Sequence, residues 1–140
     1  GVLMLLVEAR ASRTRTLSDL GLWDAVLIGA AQAIALIPGV SRSGITIIAG
    51  LGLGLHREAA ARFAFLLAIP VTAGAGLHQA KALASVAGTN ALPLAAGFIA
   101  AAVSGFWAIG FLLRFLRRSS LRPFAVYRII LGIGLLLILR

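Results

Sequence analysis

Apolar runs alternate with short basic clusters along this chain, and the runs have helical lengths. Gly1 to Val7 is apolar, and Glu8 and Arg10 follow. This stretch reads as the end of a helix that begins upstream, which makes the chain the C-terminal part of a longer protein. Residues 10–16 are polar and basic. Ser18 or Asp19 can cap a helix that runs through Trp23 to Ile37. Pro38-Gly39 ends it, and a second apolar segment runs from Gly44 to Leu55, closed by His56-Arg57-Glu58. Helices of about 16 and about 12 residues rise only about 18–24 Å. That is short of a hydrocarbon core of about 30 Å. The pattern predicts a re-entrant helix pair over about residues 19–55, with a polar turn at its tip. Longer runs over about 59–80, 91–113 and 122–140 predict three membrane spans. Pro70 predicts a kink in the first. Gly97, Ala101 and Gly105 place small residues along one face of the second, where another helix can approach closely. The expected fold is an all-α, multi-pass membrane helix bundle in a single domain, 1–140.

Composition supports this pattern. The chain is 61% hydrophobic and 12% charged, against about 45–50% and about 25% in soluble domains. Its formal net charge is +9, but the basic residues lie between apolar runs, as juxtamembrane charges do. That distribution implies contact with membrane lipids and no nucleic-acid surface. There is no cysteine, which excludes thiol and Cys-zinc chemistry. A re-entrant pair returns to the side it left. The arginines of 10–16, 57–62 and 114–122 therefore share one face, whereas the opposite loop, Lys81–Asn90, holds a single lysine. By the positive-inside rule the arginine-rich face is cytoplasmic, and the polar turn opens to the exterior.

The turn is Pro38-Gly39-Val40-Ser41-Arg42-Ser43-Gly44-Ile45-Thr46. A charge at membrane depth points to function. The first turn of the following helix has N–H groups without intrahelical acceptors, and its dipole adds positive potential. Such a terminus binds phosphate. Gly39 and Gly44 allow a sharp turn and close backbone approach. Arg42 offers a donor fork matched to phosphate oxygens, and Ser41, Ser43 and Thr46 add hydroxyls. The competing reading is a plain Pro-Gly turn with the serines capping a helix. The Lys and the spacing of a nucleotide-binding P-loop are absent.

The run Gly29-Ala-Ala-Gln32-Ala-Ile-Ala35-Leu-Ile-Pro38-Gly39-Val-Ser41-Arg42-Ser43-Gly44-Ile-Thr46 closely resembles the second signature of the bacterial undecaprenyl-diphosphatase family, the bacitracin-resistance phosphatases. The resemblance continues from Arg57 through Phe63, Phe65 and Pro70 and at Pro123-Phe124-Ala-Val-Tyr127-Arg128, and covers essentially the whole chain. Ala64 departs from the family's usual serine, with little consequence expected. The resemblance implies the second half of an inverted-repeat fold. It implies hydrolysis of undecaprenyl diphosphate to the monophosphate and phosphate at the outer face of the bacterial plasma membrane. That reaction recycles the lipid carrier of peptidoglycan synthesis and confers bacitracin resistance. Ser41, Arg42 and Thr46 become the catalytic residues; Gln32, Gly39, Ser43 and Gly44 become substrate-binding residues. A divalent cation, Mg²⁺ or Ca²⁺, is implied, with ligands from the family's other repeat rather than from this chain. The family's glutamate pair and serine-glycine-histidine turn belong to that repeat too, so the chain alone is expected to turn over weakly or not at all.

The remaining polar residues have blander readings. His56 reads as a solvated loop residue, and His78 as a headgroup contact. Arg128 reads as a snorkelling or bundle-pairing residue ahead of a substrate contact. The cluster 114–122 reads as meeting anionic headgroups. Gln32 reads equally well as a buried amide bonded to a neighbouring helix. Two other functions stay open: a membrane anion or lipid carrier with a midplane phosphate site, and a non-catalytic remnant. Oligomeric state stays open between a single chain and a homodimer.

Overall fold

The computed structural model describes residues 1–138, except for the side chains of 81–90. Six α-helices follow in order: α1 (Val2–Arg10), α2 (Leu22–Gln32), α3 (Arg42–Gly52), α4 (Arg57–His78), α5 (Ala80–Arg118) and α6 (Arg122–Ile138). Short 3₁₀ turns occupy Leu17–Asp19 and Ala33–Leu36. No strand occurs among the described residues; one isolated bridge joins Arg15 to Leu55.

Local chemistry sets these bounds. The helix expected from Ser18 or Asp19 divides in two. The Asp19 carboxylate accepts from the Thr16 N–H and hydroxyl, each at 2.7 Å, and so closes only the 3₁₀ turn. α2 starts afresh at Leu22, where Asp24 accepts from the Gly21 N–H at 3.0 Å. α3 starts two residues before the expected Gly44, because the Ser41 hydroxyl caps it by accepting from the Gly44 N–H at 3.2 Å. It stops at Gly52, and Gly54 turns the chain with φ +86°, a conformation that glycine adopts without steric cost.

α3 sits at the centre, packed against α1, α2 and α4; α4 also packs on α5, and α1 on α6. Ile28, Leu51 and Leu55 are fully buried around it. Gly50 permits close approach to α4: a Cβ there would lie 3.0 Å from the Ala60 Cβ. Ala64 is also in this core, so an alanine suits the place where the resembled family has serine.

The chain from Arg15 to His56 leaves and returns to one point. Arg15 donates its N–H to the Gly54 carbonyl at 2.9 Å, and its own carbonyl accepts from His56 at 2.8 Å. The Arg15 guanidinium bonds the Leu53 carbonyl at 3.0 Å and pairs with Asp24. Two further ion pairs gather the other arginine clusters at this same end. Arg57 on α4 pairs with the buried Glu8 of α1, and Arg117 on α5 meets Glu58 on α4 at 2.8 Å.

α4 and residues 91–118 of α5 are long and apolar enough to cross a membrane, with mean hydropathies of 1.6 and 2.0. Only 17% of the first window and none of the second is buried within the chain. A soluble protein would bury such helices, so these faces suit lipid or further protein. The third expected span, 122–140, forms α6 over 17 described residues, with the last two residues outside the description. The exterior loop expected at Lys81–Asn90 falls on the N-terminal part of α5, where side chains lie outside the described residues. Among the described residues nothing lies within 4 Å of a Cβ built on Gly97 or Gly105, so no close helix contact is seen at these two positions of α5.

Candidate functional site

The polar turn joins the 3₁₀ turn 33–36 to α3. Gly39 has φ +87°, the left-handed conformation that its position in the motif predicts. Gly44 serves differently. It lies inside α3 and is buried, and its lack of a Cβ is what counts: one there would lie 3.1 Å from the Ser41 Cβ and 3.4 Å from Nη1 of Arg128. The Arg128 guanidinium therefore lies over the first turn of α3.

Helical spacing splits the motif between faces. Ser41, Gly44, Ile45 and Ile48 share one face and line a cleft of about 270 Å³ with Gly39 and Arg128. Leu3 and Met4 of α1 and Ile34 make its other wall apolar. Arg42 and Thr46 lie on the next face. Thr46 is buried and its hydroxyl donates to the Arg42 carbonyl at 2.8 Å. Expected as a phosphate ligand, Thr46 instead fastens the first turn on which Arg42 stands. The Arg42 side chain is exposed at the tip, and so is Ser43, whose hydroxyl lies 3.4 Å from that of Ser41. Gln32 is half-buried at the end of α2 and does not line the cleft; the 3₁₀ turn after it carries the chain away.

The donors at this terminus can be counted. Ser41 takes the Gly44 N–H with its hydroxyl and the Ile45 N–H with its carbonyl, the latter at 2.9 Å. The N–H groups of Arg42 and Ser43 have no partner among the described residues. Two open amides, two serine hydroxyls and two guanidinium groups thus stand around the start of one helix. Such a set can hold an oxyanion. Sequence reasoning weighed Arg128 as a snorkelling or pairing residue. The signal that could have found it is its depth: six residues into α6, about 9 Å beyond the arginine-rich end, where a charge needs a partner or a task.

No carboxylate joins this set. The four acidic residues of the chain are engaged elsewhere: Glu8 with Arg57, Asp19 with Thr16, Asp24 with Arg15, and Glu58 with Arg117. No group of three metal-ligating side chains occurs among the described residues. The cleft's donors suit an anion, and its lining holds no carboxylate or imidazole for the divalent cation that the resemblance implies.

Fold and turn together define an all-helical protein with two helices long and apolar enough to cross a membrane and an arginine-bearing turn at the start of α3. The match to known sequences is more particular. The chain belongs to the bacitracin resistance protein BacA family, whose pattern it matches over residues 1–134. It is 50% identical to an undecaprenyl-diphosphatase of Thermomicrobium roseum over 140 residues, 99% of this chain and 50% of that protein. It is 49% identical to the undecaprenyl-diphosphatase of Myxococcus xanthus over 140 residues, 99% of this chain and 47% of the relative. With that of Moorella thermoacetica the identity is 51% over 120 residues, 86% of this chain and 45% of the relative. The chain spans about half the length of the curated relatives it matches.

Proposed function

We propose that this chain carries the phosphate-binding part of an undecaprenyl-diphosphatase. It takes undecaprenyl diphosphate as its lipid substrate and supports hydrolysis to undecaprenyl phosphate and phosphate. The observation that carries the reading is Arg128 over Gly44, which sets a second guanidinium beside the Ser41-Arg42-Ser43 turn. The relatives' shared name supplies the reaction.

In hydrolysis a water oxygen bonds to the terminal phosphorus, the bridging P–O bond breaks, and the bridging oxygen leaves with the lipid monophosphate. A base accepts the water's proton. Negative charge spreads over the transferring oxygens. Arg42, Arg128 and the open amides of Arg42 and Ser43 are placed to hold that charge. Ser41 orients the turn, Gly44 leaves room, and Thr46 fixes the carbonyl behind Arg42. The apolar wall at Leu3, Met4 and Ile34 suits the first part of a polyprenyl chain. The base is expected from outside these 140 residues, since every carboxylate here is engaged at the far end of α3 and neither histidine lines the cleft.

The Arg15–Leu55 closure supports a re-entrant pair, with the turn about 15 Å from the arginine-rich end along the 11 residues of α3. The resemblance adds a partner repeat of inverted topology that completes the site from the other side. It also adds the outward orientation, the recycling of the peptidoglycan lipid carrier and bacitracin resistance.

The test joins this chain to the part of the Thermomicrobium roseum relative that it does not match, and measures phosphate release in detergent. The joined protein is expected to release phosphate and the chain alone almost none. Arg42→Ala in the joined protein is expected to cost about 10²–10³-fold in kcat, the scale for losing a transition-state donor. A carrier would release none in either form. Full activity of the chain alone would overturn the requirement for an outside base.

A further inference from the structure

A second polar cavity lies at the opposite end of α3 from the turn. It is the larger of the two, about 670 Å³, and Thr16, Ser18, His56, Glu58, Arg62 and Arg117 line it. That volume matches a small-ligand site. Its floor is the start of α4, where His56 is the cap residue but makes no side-chain capping bond.

Two arginines face one carboxylate, and Arg117 already engages that carboxylate at 2.8 Å. Asp19 stands nearby, held by the Thr16 N–H and hydroxyl. Arg62 is exposed on the second turn of α4, with no ion-pair or hydrogen-bond partner among the described residues. His56 is exposed beside it, and its ring offers a donor N–H. The Thr16 and Ser18 hydroxyls, 2.8 Å apart, close the far side. Arg62 and the His56 ring are therefore the polar groups of the lining without a partner among the described residues, beside the engaged Glu58 and Asp19 carboxylates.

Its depth is informative. α4 begins here at Arg57 and α5 ends here at Arg118, so both long apolar helices have an end at this level. An opening at the end of two membrane helices lies in the headgroup layer. Basic pockets at that level take phosphate-bearing headgroups.

We propose that the cavity between the 16–18 turn, the start of α4 and the end of α5 is a phosphate-binding site for an anionic phospholipid headgroup, separate from the Ser41-Arg42-Ser43 turn. Arg62 is its principal cation, with the His56 ring N–H and the Ser18 hydroxyl as further donors. A free phosphate ion offers the same oxygens, and the test tells the two apart. It does not rest on the reading of the turn.

The test is native mass spectrometry of the purified chain in detergent, titrated with phosphatidylglycerol, phosphatidylcholine or inorganic phosphate. The wild type is compared with Arg62→Gln and with Arg42→Gln. Wild-type protein and Arg42→Gln are expected to retain phosphatidylglycerol equally, at least fivefold above phosphatidylcholine, and Arg62→Gln is expected to lose that preference. Arg62-dependent retention of inorganic phosphate without phosphatidylglycerol would support the anion site but overturn the headgroup as occupant. Equal retention by wild type and Arg62→Gln, or a loss that follows Arg42 instead, would overturn the site itself. Arg62 is exposed, so its replacement is expected to leave the fold intact, which circular dichroism and thermal unfolding of the variant check.

Discussion

At position 44 a single missing methyl group decides what the turn can hold. Gly44 is buried, with Ser41 on one side and the Arg128 guanidinium on the other. Gly44→Ala is expected to push Arg128 off the first turn of α3 and weaken diphosphate binding about tenfold, read by titration calorimetry in detergent. Loss of one hydrogen bond to a charged group costs about 1.5–3 kcal/mol, so Arg128→Gln is expected to weaken the same binding by about 10–100-fold. The residue types at the turn were legible in the sequence because Pro-Gly, Ser-Arg-Ser and Gly sit within an apolar run. Their division between faces was only partly legible. Helical spacing puts Thr46 behind Arg42, but only packing shows that its hydroxyl is buried and committed. Arg128 lies far away in sequence, and no local pattern links it to Gly44.

Helix pairs are joined through a few specific contacts. Glu8 is buried on α1 with Arg57 of α4 as its main partner, and its Oε2 has no partner among the described residues. Removing one member of a buried pair costs about 3–5 kcal/mol. Glu8→Ala is expected near the low end, about 3 kcal/mol, because Arg57 remains partly exposed to water. Thermal unfolding in detergent checks this. At Gly50 a larger residue would press on Ala60, and Gly50→Val is expected to destabilise the chain by about 1–3 kcal/mol through overpacking. The 3₁₀ turn 17–19 carries a pH dependence. Hydrogen bonds from the Thr16 hydroxyl and N–H hold the Asp19 carboxyl below its usual range. Its contribution is therefore complete above the ordinary carboxylate pKa of about 3.9 and is lost as pH falls through the lowered folded value. Amide exchange at Thr16 is expected to speed up below about pH 4, and Asp19→Asn to abolish that dependence. Element types and approximate positions followed from the apolar runs. The break between Asp19 and Leu22 did not, because two adjacent Asp-based capping motifs compete and sequence alone does not rank them.

Across the whole molecule, the arginine clusters gather at one end and the largest apolar faces stay bare. The sequence expects the clusters on one face because helix lengths suggest a count of membrane crossings. The ion pairs that join them were not legible, because each links residues far apart in sequence. The proposed orientation rests on the positive-inside rule: a cysteine placed at Ser119 is expected to react with an impermeant thiol reagent only from the cytoplasmic side. The bare faces of residues 91–118 of α5, and the absence of a carboxylate at the turn among the described residues, agree with the proposal that further protein completes the site. The central claim is that the start of α3 and Arg128 together form the diphosphate cradle. The measurement that tests it most directly is the Kd of the purified chain for undecaprenyl diphosphate in detergent, for wild type, Arg42→Gln and Arg128→Gln. The account predicts measurable wild-type binding that each substitution weakens at least tenfold; equal affinity in all three proteins would contradict it.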